Sequence, residues 1–147
     1  IYYHRFLTMI ISYISYLINI LDEIRIDNMK HFHVHIYFNP ADSQLAYALF
    51  KNANLMDLFE FVKFHEQPIG PHPTGMIEMH FNETSYNQVV DWVEVHREIF
   101  SVLIHQDTGD DFKDHRESIR WLGTPVVLDF SFFELVQARP DLRIHQI

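Results

Sequence analysis

The sequence predicts an α+β fold of the ferredoxin-like type, in which the order β-α-β-β-α-β builds an antiparallel sheet with both helices on one face. Two observations support this prediction: short segments in which apolar and polar residues alternate, and longer segments of helical periodicity between them. The 147 residues suffice for one domain, and an apolar content of 48% supplies its core. The same elements are compatible with a dimeric α/β barrel.

The first half of the domain is predicted to be strand, helix, strand. Residues 31–38 alternate along their whole length, with Phe32, Val34, Ile36 and Phe38 on one face and His31, His33, His35 and Tyr37 on the other. The segment Asn39-Pro40-Ala41-Asp42 is typical of a helix start, because proline is favoured in a first helical turn. A second strand is predicted over residues 59–65.

The second half repeats this order after a turn rich in proline and glycine at residues 68–73. The third strand, residues 76–81, directs Ile77, Met79 and Phe81 to one side and Met76, Glu78 and His80 to the other. A helix is predicted over residues 84–97. In the fourth strand, residues 100–105, one face carries Phe100, Val102 and Ile104, and the other face carries Ser101, Leu103 and His105. Because the helices must cover the apolar face, the opposite face of the sheet presents the histidines.

The predicted domain covers residues 29–130, between an apolar N-terminal extension at residues 1–28 and a C-terminal tail at residues 131–147. The apolar run at residues 6–21 is shorter than the roughly 20 residues that a bilayer span needs. It also lacks the small-residue cleavage site of a secretory signal. We interpret Met29 as the natural start, because the alternating pattern begins directly after it. A cytoplasmic protein is expected, without membrane binding unless residues 6–21 are a genuine signal or anchor.

The composition argues against several classes of function. The net charge is −9 and the 11 Lys and Arg residues are scattered, whereas nucleic acids and anionic membranes require clustered positive charge. Without cysteine the chain has no disulfide framework and no thiolate metal site. Any metal ion must therefore be bound through nitrogen and oxygen atoms. The 11 histidines are the outlier of the composition.

Four histidines are the principal candidates for a divalent metal site. His33 and His35 lie two residues apart on one strand, so their side chains point to the same side. His72 lies between Pro71 and Pro73, which restrict its backbone, and His105 ends the fourth strand on the histidine face. For each of them a solvated strand face or an ordinary turn is the competing interpretation.

Glu78 is the carboxylate that the strand phasing places on the same face. It could complete a set of two histidines and one carboxylate, which leaves positions open on ferrous iron. It could instead orient an imidazole or form an ion pair with Lys63. His65 and His80 belong either to the site or to the surface. His115 is a candidate for acid–base catalysis, or an exposed helix residue without a role.

The chain resembles the DOPA 4,5-dioxygenase family of bacteria and fungi in five motifs between about Phe32 and Ser131. These occur in the family's order as His33-Val34-His35-Ile36-Tyr37-Phe38, Gly70-Pro71-His72-Pro73 with Gly75-Met76, Ser101-Val102-Leu103-Ile104-His105, Thr108-Gly109-Asp110 with Asp114-His115, and Trp121-Leu122-Gly123. Each motif alone is weak, but five in order make a chance similarity improbable. Gln106 departs from the family pattern, which tends to have proline there, and this departure removes no candidate ligand.

The resemblance implies an extradiol dioxygenase that depends on non-haem Fe(II) and opens the ring of a catechol such as L-DOPA with O2. Zinc could replace the iron on purification. His33, His35, His72 and His105 are the expected metal ligands, and the expected catalytic groups are His33, His35 and His115. Tyr37 and Trp121 are candidates for packing against the substrate ring. Either a second subunit, forming a homodimer, or the segment after His105 should cover the histidine face.

Two other classes of protein fit the same sequence. The first is a non-catalytic module in which the histidines bind a metal, such as zinc in a closed shell, or a small ligand. The second is a cofactor-free enzyme in a dimeric α/β barrel, whose histidines act only as acids and bases. Metal content and coordination geometry would distinguish these classes from the dioxygenase.

Overall fold

The structure is a computed structural model that describes residues 2–140. Its helices and strands follow in the order α1 (Tyr2–Asp27), β1 (His31–Phe38), α2 (Ser43–Ala53), β2 (Phe61–His65), β3 (Gly75–Asn82), α3 (Tyr86–His96), β4 (Ser101–Asp107), α4 (Asp111–Asp114), β5 (Arg120–Leu122) and α5 (Ser131–Ala138). Short 3-10 turns at Pro40–Asp42 and Glu83–Ser85 lead into α2 and α3. The first of these begins with Pro40, and the Asn82 side chain caps the second by accepting a hydrogen bond from the Thr84 N–H at 3.0 Å.

The strands form one open antiparallel sheet in the order β2-β3-β1-β4-β5. The first four strands have the ferredoxin-like arrangement, so the predicted fold class is confirmed. The fifth strand was not predicted. It pairs only three residues, Arg120–Leu122, with Val102–Ile104 of β4, which is too short for a pattern of alternation to reveal it.

The main core lies between the sheet and the helices α2 and α3. Strand residues with period-two spacing point into it, as the sequence predicted, and both helices contribute one apolar stripe. Its strand members are Val34, Ile36, Phe38, Ile77, Met79, Phe81, Val102 and Ile104, and its helical members include Ala46, Leu49, Ala53, Val89, Trp92 and Val93.

The opposite face of the sheet is covered by the part of the chain that follows β4. A second cluster there combines the strand residues Tyr37, Met76 and Leu103 with Leu128, and further apolar side chains such as Phe130 pack against it. Of the two covers that the sequence allowed, the later segment of the same chain is therefore present. The homodimer stays a prediction.

The C-terminal boundary expected at residue 130 cuts through this cover. Residues 131–138, assigned to a tail, form helix α5, and its Phe133 is buried. The sequence assigned this segment to a tail without predicting a helix, because it did not reveal which apolar face the helix would contact. The remainder of the predicted tail, from residue 141 onward, lies outside the described residues.

Helix α1 stands apart from the core. From Leu7 to Ile26 none of it is buried, and this stretch of 20 residues is long and apolar enough to cross a membrane by length and composition. The expectation that the apolar run is too short for a span is thus wrong, because the helix continues five residues beyond Leu21.

Candidate metal centre

The central position of β1 brings histidines from three strands to one side of the sheet. In the antiparallel registers, His33 lies opposite His80 of β3 and His105 of β4, and His35 lies opposite Glu78 and Leu103. Directly opposed residues point to the same face. The register therefore determines that His33 and His105 are neighbours, as the strand phasing predicted.

His72 joins this group from the turn between β2 and β3. Two backbone hydrogen bonds close the turn: the Ile69 N–H donates to the His72 carbonyl at 3.3 Å, and the His72 N–H donates to the Ile69 carbonyl at 3.0 Å. Gly70 adopts a φ of +57°, which favours glycine. The Asp129 N–H donates to the Pro71 carbonyl at 2.8 Å, so the cover of the histidine face also fixes this turn.

His115 reaches the same group from the end of α4. Asp110 caps this short helix by accepting from the Lys113 N–H at 3.2 Å. The buried Asp114 accepts two hydrogen bonds from Thr108, from its N–H at 2.8 Å and from its hydroxyl at 2.5 Å. These bonds close the turn after β4 and hold His115 over the sheet. The alternative that His115 is an exposed helix residue is therefore wrong, since only 4% of it is exposed.

Five imidazoles cluster together, and the ring of His35 lies near each of the other four. Its Nε2 lies 3.0 Å from Nε2 of His105, and its ring centroid lies 4.4 Å from that of His72, 5.7 Å from that of His115 and 5.9 Å from that of His33. The rings of His105 and His115 are 4.4 Å apart. All five residues are buried, with exposed fractions between 1% and 6%. We call this group the histidine centre.

The histidine centre has more ring nitrogens than hydrogen-bond partners. Buried Nδ1 of His33, Nδ1 of His35 and Nε2 of His115 have no hydrogen bond within the described part of the chain. Such buried unpaired atoms cost about 1–3 kcal/mol each. Ligand nitrogens of His33, His35 and His105 lie within 4.8 Å of one another, and so do those of His35, His72 and His115. These residues fit a divalent metal ion, which would satisfy the unpaired nitrogens.

The tautomers of two members can be read from their backbone contacts. Nδ1 of His105 donates to the Gln106 carbonyl at 2.8 Å, and Nδ1 of His115 donates to the Asp111 carbonyl at 2.7 Å. Because a neutral imidazole carries one hydrogen, Nε2 of each ring has a free lone pair. Backbone carbonyls commonly orient metal-binding histidines in this way. The acceptor at Gln106 is a main-chain carbonyl, which any residue at this position supplies. The departure from proline in the family pattern therefore leaves this contact with His105 intact.

Burial and crowding keep these imidazoles uncharged. Burial, and then repulsion from neighbouring His115 and His105, lower the pKa of His72 to about 2. Burial likewise lowers the pKa of His105 to about 3. The pKa of His35 lies well below its ordinary value, first through burial and then through the other rings, and burial also lowers that of His115. Neutral imidazole is the form that binds metal.

Glu78 lies on the histidine face, as predicted, but it contacts histidines outside the centre. Its Oε2 accepts from Nε2 of His65 at 2.6 Å, and its Oε1 accepts from Nε2 of His80 at 2.7 Å. Burial would raise the pKa of Glu78, but these two hydrogen bonds outweigh it and hold the pKa below its usual range. The predicted ion pair with Lys63 is absent from the described contacts, and the imidazoles take its place.

His33 differs from the other members because a carboxylate faces it. Nε2 of His33 lies 3.4 Å from Oδ2 of Asp107, and this contact lowers the pKa of Asp107 to about 2. Its ring also stacks on that of His80, with centroids 3.8 Å apart. A carboxylate that holds one ring nitrogen leaves the other free as a base. Sequence reasoning missed Asp107, although its position two residues after His105 on the same strand could have indicated it.

Tyr37 and Trp121 border the histidine centre. The Tyr37 hydroxyl and Nδ1 of His72 are hydrogen-bonded at 2.8 Å, and burial raises the pKa of Tyr37. Trp121 is half-buried, with its ring centroid 5.8 Å from that of Tyr37. A cleft of about 190 Å³ adjoins Tyr37 and is also lined by Asn39, Thr74, Ser101 and Val126, but by no histidine. The roles of Tyr37 and Trp121 in substrate binding stay predictions.

The fold and the site together define a class: a ferredoxin-like α+β domain with a buried, histidine-rich centre that could hold a metal ion. Residues 32–132 match the model of the Dopa 4,5-dioxygenase family. The chain belongs to this family, which confirms the resemblance found in the motifs.

Individual relatives agree with this assignment. An uncharacterised 21.2 kDa protein of Botryotinia fuckeliana is 30% identical over 68% of the chain and 61% of its own length. A DOPA 4,5-dioxygenase of Amanita muscaria is 26% identical over 70% of the chain and 49% of its own length. The chain thus spans about half to three-fifths of these relatives. The crystal structure of a candidate dioxygenase from Nostoc punctiforme superposes with a TM-score of 0.64 at 33% identity, over 74% of this chain and 94% of the other.

Proposed function

We propose that the chain is a non-haem Fe(II)-dependent extradiol dioxygenase that opens the ring of a catechol such as L-DOPA. The observation that carries the proposal is the histidine centre, in which buried imidazoles from four segments of the chain converge with unpaired nitrogens. Family membership supports an oxygenase, and the name of the Amanita relative suggests the substrate.

Within this proposal the ligands come from two overlapping sets whose ligand atoms lie within 4.8 Å of one another: His33, His35 and His105, or His35, His72 and His115. His105 and His115 already direct a lone pair into the centre through Nε2. Nε2 of His35 lies 3.0 Å from Nε2 of His105 and therefore carries the hydrogen. Either the unpaired Nδ1 of His35 would bind an ion directly, or the hydrogen would move to Nδ1 and Nε2 would bind it. When bound, ferrous iron would supply Lewis acidity toward the catechol oxygens and a position for O2.

His33 is the best placed acid–base group. Asp107 holds its Nε2, and its buried Nδ1 has no partner within the described residues. This nitrogen can accept the proton of a catechol hydroxyl and return one later in the reaction. The neighbouring Asp107 carboxylate stabilises the positive charge that His33 would then carry.

Tyr37 would orient His72 and separate the centre from the adjoining cleft. For His72 to bind an ion through Nε2, its Nδ1 must carry the hydrogen and donate to the Tyr37 oxygen. The apolar residues of the second cluster, such as Leu103 and Leu128, would exclude water from the reacting groups.

The direct test is anaerobic reconstitution with ferrous iron, followed by exposure to L-DOPA or other catechols in air. A yellow product that forms with stoichiometric oxygen uptake supports the proposal. Intact iron binding without turnover across a panel of catechols would refute it and favour the metal-binding module, and absence of metal binding would favour the cofactor-free enzyme.

A further inference from the structure

A second group of metal-binding side chains lies beside the histidine centre, on β2 and β3. In the register of these strands Lys63 lies opposite Glu78 and Phe61 lies opposite His80. Nε2 of His65 and Nε2 of His80 approach the two Glu78 oxygens at 2.6 and 2.7 Å, so the carboxylate is held between two imidazoles. We call His65, Glu78 and His80 the mixed cluster.

The mixed cluster buries the carboxylate of Glu78 between two imidazoles. The exposed fraction of Glu78 is 6%, and in residues 2–140 its ion-pair contacts are made with His65 and His80 alone. Lys63, its register partner, is exposed and does not pair with it. The two imidazole contacts stabilise this buried carboxylate, and a divalent cation bound beside it would also offset its charge.

The donor atoms of the mixed cluster are those that zinc and ferrous iron bind. Two imidazole nitrogens and one carboxylate oxygen form a common set for either ion. The present short distances are hydrogen bonds in which each Nε2–H donates to Glu78. For Nε2 of His80 to bind an ion, its hydrogen would have to move to Nδ1, which is a tautomer exchange without net gain or loss of a proton.

The cluster is also continuous with the histidine centre. The ring of His33 stacks on that of His80, and ligand atoms of His33, Glu78 and His80 lie within 4.8 Å of one another. His33 therefore borders both groups and could complete the coordination of an ion at the mixed cluster. We propose that Glu78 and His80, together with His33, bind a second divalent cation next to the histidine centre, with His65 holding the Glu78 carboxylate in place.

Zinc stoichiometry tests this second site without reference to catalysis. The full chain is stripped of metal and dialysed against excess zinc, and the bound metal is measured after unbound ions are removed. We expect about two equivalents for the wild type and about one for Glu78→Gln, because the amide has the shape of the carboxylate but not its charge. His80→Asn, at a partly exposed position, should behave like Glu78→Gln and guards against misfolding of the first variant.

Two comparison variants distinguish the sites. His105→Ala should lose the ion of the histidine centre and keep that of the mixed cluster, whereas His96→Ala, on α3 and outside both groups, should bind as the wild type does. Equal zinc content in wild type, Glu78→Gln and His80→Asn would overturn the second site. The wild type could also bind only one equivalent of zinc. If Glu78→Gln loses that equivalent and His105→Ala retains it, the result would support the mixed cluster and refute the histidine centre instead.

Discussion

At the scale of single residues, the hydrogen on each imidazole decides what that imidazole can do. His105 and His115 donate through Nδ1 to main-chain carbonyls, which leaves Nε2 as a ligand atom. His33 has a carboxylate at Nε2 instead, which favours a role in proton transfer. The histidines on this face of the sheet are thus suited to different functions, depending on the groups that hydrogen-bond to each ring.

Removal of a central imidazole should abolish metal binding at the histidine centre. We expect His105→Ala and His72→Ala each to lose the ion of this centre while circular dichroism shows an intact fold. Metal analysis after reconstitution with ferrous iron measures the effect. His96→Ala is the control, because Nδ1 of His96 bonds to the Trp92 carbonyl on the helical side of the sheet. Unchanged metal content in His105→Ala or His72→Ala would show that the assigned ligands are wrong.

Tyr37→Phe tests the residue that holds His72. The change removes a hydroxyl 2.8 Å from Nδ1 of His72 and leaves that buried nitrogen unpaired. Loss of such a partner typically lowers metal affinity by about 10–100-fold. Competition with a chelator of known affinity measures this, and Tyr47→Phe, on the exposed side of α2, is the matched control. Equal affinities in Tyr37→Phe and wild type would exclude an orienting role.

At the scale of secondary structure, the ligand-bearing segments differ in how they are held. Strands β1 and β4 position their histidines by ladder hydrogen bonds, whereas His72 and His115 depend on short turns. Helix α5 closes the site, because Phe133 lies with its ring centroid 5.9 Å from that of His115 and 5.5 Å from that of Phe112. Since the whole centre is buried, any ligand of the centre can reach it only if some of the side chains that cover it move.

Phe133→Ala should loosen the cover. Truncating a buried phenylalanine costs about 3–5 kcal/mol in a well-packed core, and less where a terminal helix can adjust. We expect faster removal of the metal by a chelator in Phe133→Ala, together with a lower melting temperature. Leu135→Ala, on the same helix but 55% exposed, should change neither quantity. Identical rates of metal removal in the two variants would show that α5 does not control access.

The strands were the most predictable elements and the cover was the least. Alternation identified β1 and β3 to within one residue, because a half-buried strand needs only its own sequence to show its two faces. β5 and α5 escaped detection, since a strand of three residues and a short terminal helix acquire their structure from contacts made elsewhere. The predicted ligands His33, His35, His72 and His105 come together, and His115 joins them.

At the scale of the whole molecule, the buried histidines make folding sensitive to acid. In the unfolded chain each imidazole takes up a proton below its ordinary pKa of 6.5, whereas in the fold the pKa of His105 is about 3 and that of His72 about 2. The unfolded state therefore binds more protons between these values. Stability from this source is fully present above pH 6.5 and is lost progressively as the pH falls from 6.5 toward the folded pKa values.

Acid titration of the metal-free protein measures this effect. Each such histidine should lower the free energy of unfolding by up to about 1.4 kcal/mol per pH unit below pH 6. The lowered pKa values of Glu78 and Asp107 act in the same direction below about pH 4. Urea unfolding at pH 7.5, 6 and 5 would reveal a steep decline, and bound metal should shift that decline to lower pH. Constant stability over this range would contradict neutral, buried imidazoles.

The exposed helix α1 leads to a further expectation about the molecule as a whole. Because none of the stretch from Leu7 to Ile26 is buried, a chain that begins at Met29 should keep the fold and bind the same amount of metal. Thermal unfolding and metal analysis of both chains measure this. A lower melting temperature or metal content in the shorter chain would show that α1 stabilises the domain.

The sequence by itself determined the fold class and the face that carries the histidines, because alternation is a local property that each strand shows alone. Only the tertiary structure decided which imidazoles meet. His72 and His115 lie on turns far from β1 in sequence, and the packing of those turns against the sheet brings them within reach of His35. The separation of Glu78 from the histidine centre was likewise decided by its contacts with His65 and His80, which depend on the register of neighbouring strands.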